Sequence, residues 1–267
     1  MLSYRALWDM PIDARPAQSG RNVGAIPHLV GNLVYGLLFA VFKAAFRYRV
    51  TGKQHLLSCE GGCVVAGNHA SYLDPAFLWL AARPKRWIRF MARENMFENA
   101  HGLAGQVISR VGAFPVKRAS ADRTAIKRAA AMLKRGEAVG IFPEGTRRGR
   151  GTAHPDLHAG VAFIARMGKA PILPASVRNV ERIKPVGSRF VHFPRIEVVF
   201  SAPVFLEDFD FIPKEDRLDA ASWYVMRECY ALSRDVERER VDMRELFPDA
   251  KDFSAAFAGR DMARKEA

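Results

Sequence analysis

Six short, largely apolar runs separated by helix-length segments constrain this chain more than any other feature. They are Cys63–Ala66, Trp87–Met91, Val111–Val116, Ala138–Phe142, Ile172–Val177 and Ile196–Phe200, each four to six residues long. That is the length of a buried strand, and too short for a helix. Between them lie helical patterns over 75–83, 101–110, 122–135 and 157–168. Strands alternating with helices of this size predict an α/β fold, a mostly parallel sheet flanked by helices. Asp122 suits the N-cap of the third of these helices and Gly136 the residue just past its end. Pro174 cannot donate to a ladder, which predicts an edge or a bulge in the fifth strand. A last pattern over 217–246, with Trp223, Met226, Tyr230 and Leu232 at apolar positions, predicts one amphipathic helix packed back on the sheet.

Ahead of the first strand the chain has a different character. Its first twenty residues carry Pro11, Pro16 and Gly20 and read as irregular. From Val23 to Phe42 there is no charged residue, and residues 28–49 read as an apolar helix. Spanning a bilayer takes about 20 apolar residues, and Pro27, His28 and Asn32 shorten the strongly apolar part to Leu33–Phe42. Arg15 and Arg21 precede it and Lys43, Arg47, Arg49 and Lys53 follow it, so charge defines no inside and outside. The expectation is a membrane-associated helix, peripheral or re-entrant, with a full span and an ordinary core helix as the alternatives. The chain then divides into a lead and membrane-associated helix (1–55), an α/β core (56–212) and a C-terminal helical tail (213–267).

Lys and Arg total 41 against 28 acidic residues, a net charge of +13. So large a surplus points to an anionic partner: nucleic acid, an anionic membrane face or a phosphorylated substrate. No recognition motif and no cluster of aromatics among the cations accompanies it, which argues against nucleic acid. Cys59, Cys63 and Cys229 form neither an even disulfide set nor a metal-spaced group, and read as buried thiols of a reducing compartment.

Four segments leave the predicted strands with unusual chemistry, at the strand ends where open α/β sheets gather ligands. In Asn68-His69-Ala70-Ser71-Tyr72-Leu73-Asp74-Pro75, a continuous helix would set His69 and Asp74 on different faces. They meet only across a turn, which Asp74 as N-cap and Pro75 behind it would provide. A carboxylate on one ring nitrogen then leaves the other as a base. Gly112-Ala113-Phe114-Pro115-Val116-Lys117-Arg118 ends a strand in two cations. Phe142-Pro143-Glu144-Gly145-Thr146-Arg147-Arg148 leaves a strand through a Pro-Gly turn. There Gly145 allows close backbone approach, Thr146 offers a hydroxyl and Arg147 a forked donor for phosphate oxygens. Glu144 either orients Arg147 or Arg118, or accepts from a substrate hydroxyl. The fourth segment is the strand holding Pro174.

In order and spacing these four resemble the blocks of the glycerolipid acyltransferase family, which contains the 1-acylglycerol-3-phosphate acyltransferases. His69 and Asp74 are similar to its His-x-x-x-x-Asp motif, and Gly112, Phe114 and Arg118 to its Gly-x-Phe-x-x-x-Arg block. Phe142 to Arg147 match its Phe-Pro-Glu-Gly-Thr-Arg block without a mismatch, and Pro174 falls where the family has a proline. The likeness covers about residues 60–180. Two positions depart from it: Lys117, where an acidic residue often stands, and His158, where a lysine is common. Both lie on the acceptor side.

The resemblance implies direct acyl transfer, from acyl-CoA or acyl carrier protein to the free hydroxyl of a lysolipid such as 1-acyl-glycerol-3-phosphate. His69 would act as base with Asp74 orienting it, and Arg118, Glu144, Gly145, Thr146 and Arg147 would bind the acceptor phosphate. It implies no cofactor and no metal, membrane lipids as partners, and a place on the cytoplasmic face of the bacterial inner membrane. It does not fix the acceptor among lysolipids or the oligomeric state. A hydrolase using the same pair on water is the nearest chemical alternative; a non-catalytic membrane-surface module is the alternative of another class.

Overall fold

The computed structural model describes residues 4–12, 28–98, 102–117, 122–147, 156–185 and 187–260. Its centre is a seven-stranded sheet in the order β1-β7-β6-β2-β5-β3-β4. The strands are β1 (Arg49–Thr51), β2 (Cys63–Gly67), β3 (Ile88–Arg93), β4 (Phe114–Val116), β5 (Ala138–Ile141), β6 (Ile172–Arg178) and β7 (Glu197–Phe200). From β2 to β6 the strands run parallel. β7 reverses against β6, and β1 lies parallel to β7. The sheet is therefore mostly parallel, as the alternating pattern predicts.

Helices cover both faces. They are α1 (His28–Phe46), α2 (Lys53–Leu57), α3 (Asp74–Ala82), α4 (Asn95–Glu98), α5 (Leu103–Arg110), α6 (Arg123–Lys134), α7 (Gly160–Gly168), α8 (Arg217–Arg234), α9 (Met243–Leu246) and α10 (Ser254–Phe257). The alternation along β2 decides which face each side chain joins. Val64 and Ala66 enter a core with α6, α7 and α8, while Cys63 and Val65 face α3 and the end of α1. β2 is buried along its whole length, as a central parallel strand should be.

Several expected boundaries shift, each for a local reason. The apolar helix stops at Phe46 because Arg47 takes a positive φ of 44°, and the chain then forms β1, which the sequence pattern did not announce. The C-terminal helix ends at Arg234, not near Leu246, because Asp235 adopts the left-handed conformation (φ 55°). The rest of that pattern becomes shorter turns and α9. α6 keeps its expected ends: Asp122 accepts from the N–H groups of Thr124 and Ala125, and Gly136 follows at φ 83°. β6 is an interior strand, yet Pro174 sits in a bulge. Leu173 and Pro174 stand opposite Ser201, Ala202 and Pro203, between the Ile172–Val204 bridge and the β6–β7 ladder. All three cysteines are free and buried. Among the described residues no helix is long and apolar enough to cross a membrane.

The N-terminal segment is held more firmly than its composition suggests. Residues Tyr4–Trp8 form a 3₁₀ turn, with Leu7 buried and Trp8 edge-on to Phe97. Arg89, fully buried in β3, is the tie. Its guanidinium donates to the carbonyls of Leu7, Trp8, Met10 and Gly112 at 3.0–3.1 Å and to Glu137 at 2.8 Å. Burial pushes Arg89 below its ordinary pKa, and Glu137 opposes that shift. Glu137→Ala would leave this charge buried without its carboxylate, a loss of about 3–5 kcal/mol. Urea unfolding of the variant should show that loss; unchanged stability would contradict the role given to the pair.

Candidate active site

β2 brings the chain to the carboxyl edge of the sheet, and residues 68–73 turn before α3 begins. Leu73, not Asp74, occupies the N-cap position: the Phe77 N–H reaches the Leu73 carbonyl at 3.0 Å. Pro75 then fills the first turn, where no N–H is needed. The Asp74 carboxylate points back across the loop. Its Oδ2 accepts from His69 Nδ1 at 2.8 Å, the Ala70 N–H at 2.9 Å and the Ser71 N–H at 2.8 Å. The turn needed to join His69 to Asp74 is thus made by the carboxylate itself, gathering two loop amides with the imidazole. Asp74 is buried, and the His69 side chain is 17% exposed. With the carboxylate on Nδ1, the Nε2 lone pair is left as the acceptor.

Beneath the imidazole lies an aromatic stack. The His69 ring packs on Phe142 at 4.2 Å between centroids and 19° between planes, and Phe142 packs on Phe90 at 5.8 Å and 12°. Two glycines make room for it. A Cβ on Gly140 would stand 2.3 Å from the Phe90 ring, and one on Gly67 3.2 Å from Phe142. Asn68, also buried, is fixed by the Ser176 hydroxyl at 2.8 Å and reaches Ser233 on α8 at 3.4 Å.

The segment after β5 closes over the same place. The Gly145 N–H bonds the Phe142 carbonyl at 3.0 Å, with Gly145 at φ 60°, and Arg93 holds the Gly145 carbonyl at 2.8 Å. Glu144 is buried and accepts from the Tyr230 hydroxyl of α8. Arg147 lays its guanidinium over Tyr72, 3.3 Å from the ring centroid. Tyr72 belongs to the His69–Asp74 loop, so the first and third motifs are joined side chain to side chain. Arg118 lies outside the described residues. β4 leads up to it, and the Lys117 N–H is tied to the Asp122 carboxylate at 2.9 Å.

The structure therefore brings His69, Asp74, Gly145 and Arg147 to one edge, and sets Glu144 behind them against α8. Contacts of Tyr230, Arg93 and Tyr72 complete the site and were not singled out from sequence. Tyr230 alone carried a signal, an aromatic with a polar tip on an otherwise apolar helix face.

Residues 47–178 match the family model described as Acyltransferase. The 1-acyl-sn-glycerol-3-phosphate acyltransferase of Bacillus subtilis (strain 168) is 31% identical over 172 residues, 64% of this chain and 81% of that protein. The chain belongs to the acyltransferase family that contains these enzymes. A second such relative, from Streptococcus pneumoniae, is 30% identical over 146 residues, 54% of this chain and 51% of its own length. The fold is also that of a solved acyltransferase, the 1-acyl-sn-glycerophosphate acyltransferase PlsC of Thermotoga maritima. The match has a TM-score of 0.54 at 21% identity and covers 77% of this chain and 82% of that one.

In this acyltransferase the aromatic stack should set the position of the imidazole. Gly140→Ala forces the Phe90 ring to move, and with it Phe142 and His69. A misplacement of that kind is expected to lower turnover roughly 10–10²-fold in a protein that remains folded by circular dichroism. Normal turnover in the variant would remove the stack from the account.

Proposed function

We propose that the protein moves a fatty acyl group from a thioester, acyl-CoA or acyl carrier protein, to the free hydroxyl of 1-acyl-glycerol-3-phosphate, giving phosphatidic acid. The observation that carries this reading is the His69–Asp74 pair with Nε2 directed away from the carboxylate, next to the turn bearing Gly145, Thr146 and Arg147. Nε2 takes the hydroxyl proton as the acceptor oxygen attacks the thioester carbonyl. Asp74 holds the Nδ1–H and stabilises the imidazolium that forms. Collapse of the tetrahedral species breaks the carbon–sulfur bond, and the departing thiolate takes the proton back from His69. Arg147 and Arg118, with the Thr146 hydroxyl and the close approach that Gly145 allows, hold the acceptor phosphate so that its hydroxyl meets Nε2.

The lipid substrate sets a second requirement, that the site work at a bilayer. α1 supports it. Tyr35, Phe39, Phe42 and Phe46 follow one stripe, in ring contact with Trp79, Tyr48 and Phe77. On the opposite side Leu33 and Leu37 are 73% and 66% exposed, and Val41 continues that stripe. A helix apolar on both sides, with one side packed on the protein, has a face fitted to lipid. We therefore place the protein peripherally on the cytoplasmic face of the inner membrane, with α1 in the interface and Lys43, Arg47 and Arg49 among anionic headgroups.

His69→Ala should lower turnover by about 10²–10⁴-fold, the usual share of a general base. A folded variant with near-normal turnover would end this mechanism. Phosphate recognition should separate from chemistry in steady-state kinetics. Arg147→Ala is expected to raise the apparent KM for the lysolipid more than for the thioester, and Arg147→Lys to restore it only in part. A rise confined to the thioester would reassign the arginine to the donor.

A further inference from the structure

The loop that leads into β7 carries the most exposed aromatic side chain of the described chain. In residues 187–195, Phe190 is 75%, Val191 55% and Phe193 59% exposed. Such a tip is a penalty in water unless something covers it. The loop is nonetheless built to hold it out. The His192 N–H bonds the Ile183 carbonyl at 2.8 Å, and Asn179 holds the Arg195 carbonyl at 3.0 Å. Within the tip the Ser188 hydroxyl bonds both the carbonyl and the N–H of Phe190, at 2.9 and 3.2 Å.

Position and charge indicate what covers it. β7 runs against β6, so the chain enters β7 at the carboxyl edge of the parallel strands, the edge that bears His69; Arg178 at the end of β6 pairs with Glu197 at the start of β7. β1 is parallel to β7, so the end of α1 reaches that edge too. The loop and the helix touch there, Phe193 against Phe46 at 5.4 Å. The loop thus meets the C-terminal end of α1, from which the exposed stripe runs back along the helix toward Tyr35, whose hydroxyl bonds the Arg83 carbonyl at the end of α3 at 3.4 Å. Around the tip stand Lys184, Arg189 and Arg195, all exposed, and residues 182–195 contain no acidic side chain; Arg182 pairs with Glu181, just ahead of them, at 3.7 Å. A cationic collar repels a second copy of itself and suits anionic headgroups, with an apolar tip reaching beneath them.

We propose that this loop is a second membrane-contact element, which inserts Phe190 and Val191 into an anionic bilayer and, with α1, seats the His69 edge on the lipid surface. The proposal rests on the membrane-bound reading given above, and its test separates the two. The full chain is sedimented with phosphatidylglycerol–phosphatidylcholine vesicles as wild type and as the Phe190→Ser/Val191→Ser variant. Removing two inserted apolar side chains should weaken partitioning by roughly 10–10²-fold, with the melting temperature unchanged. Equal partitioning would overturn the proposal. A second measurement places an environment-sensitive fluorophore at Phe190→Cys or at Leu37→Cys; the native thiols are buried. A blue shift on vesicles at both positions supports the proposal. A shift at 37 alone overturns the loop and leaves the membrane reading standing, and a shift at neither overturns both. A shift at 190 that grows with protein concentration in the absence of lipid would assign the tip to a second copy and end the proposal.

Discussion

One carboxylate oxygen organises the site. Asp74 Oδ2 accepts from the His69 ring and from two successive amides, all at 2.8–2.9 Å, and every element nearby is arranged around that knot. The amides close the loop, the closed loop turns His69 onto Phe142, and Tyr72 in the same loop receives Arg147. A cap on the helix's own first-turn N–H groups would have used the carboxylate in the opposite direction. Buried polar groups of this kind are costly unless fully bonded, so the same contacts that satisfy Asp74 also give the His69 imidazole a single orientation.

The knot needs a rigid support, and the sheet supplies it from two sides. β2 ends at Gly67 directly before the loop, and β5 ends directly before Phe142, in parallel and adjacent. Gly140 lets the Phe90 ring lie flat across β5, which is why the platform under His69 is continuous with the core. From the other face α8 reaches both motifs, through Ser233 to Asn68 and Tyr230 to Glu144. The site of this acyltransferase thus draws on a helix far beyond the 47–178 segment that matches the family model.

What could be read in the sequence divides along the range of the interactions involved. All six expected strands appear, since each is an apolar run whose burial depends mainly on its own composition. The pairing of His69 with Asp74 and the turn at Gly145 were also legible, since spacing and turn residues are local properties. The seventh strand was not: Arg49–Thr51 pairs only because Glu197–Val199 stands beside it. The N-terminal segment read as irregular, and residues 4–12 are ordered by Arg89, some eighty positions away. The capping position given to Asp74 was wrong, since Leu73 holds it. Sequence places Asp ahead of Pro as a cap, and only the loop's competing donors turn it round. Helix ends at Arg47 and Asp235 depend on left-handed backbone at residues that do not advertise it, as a glycine would.

Two sets of elements meet at one edge of the sheet. Parallel strands deliver His69 and Phe142 there, and the reversed pair β7 and β1 brings the exposed loop and the end of α1 to the same border. The central claim is that this edge transfers an acyl group to a lysolipid and does not hydrolyse the thioester. The direct test is thiol release from a long-chain acyl thioester by the purified full chain, with and without 1-acyl-glycerol-3-phosphate, and with the lipid product weighed by mass spectrometry. The account predicts release that depends on the lysolipid and matches formation of phosphatidic acid mole for mole. Release at the same rate without lysolipid, with free fatty acid as product, would contradict it.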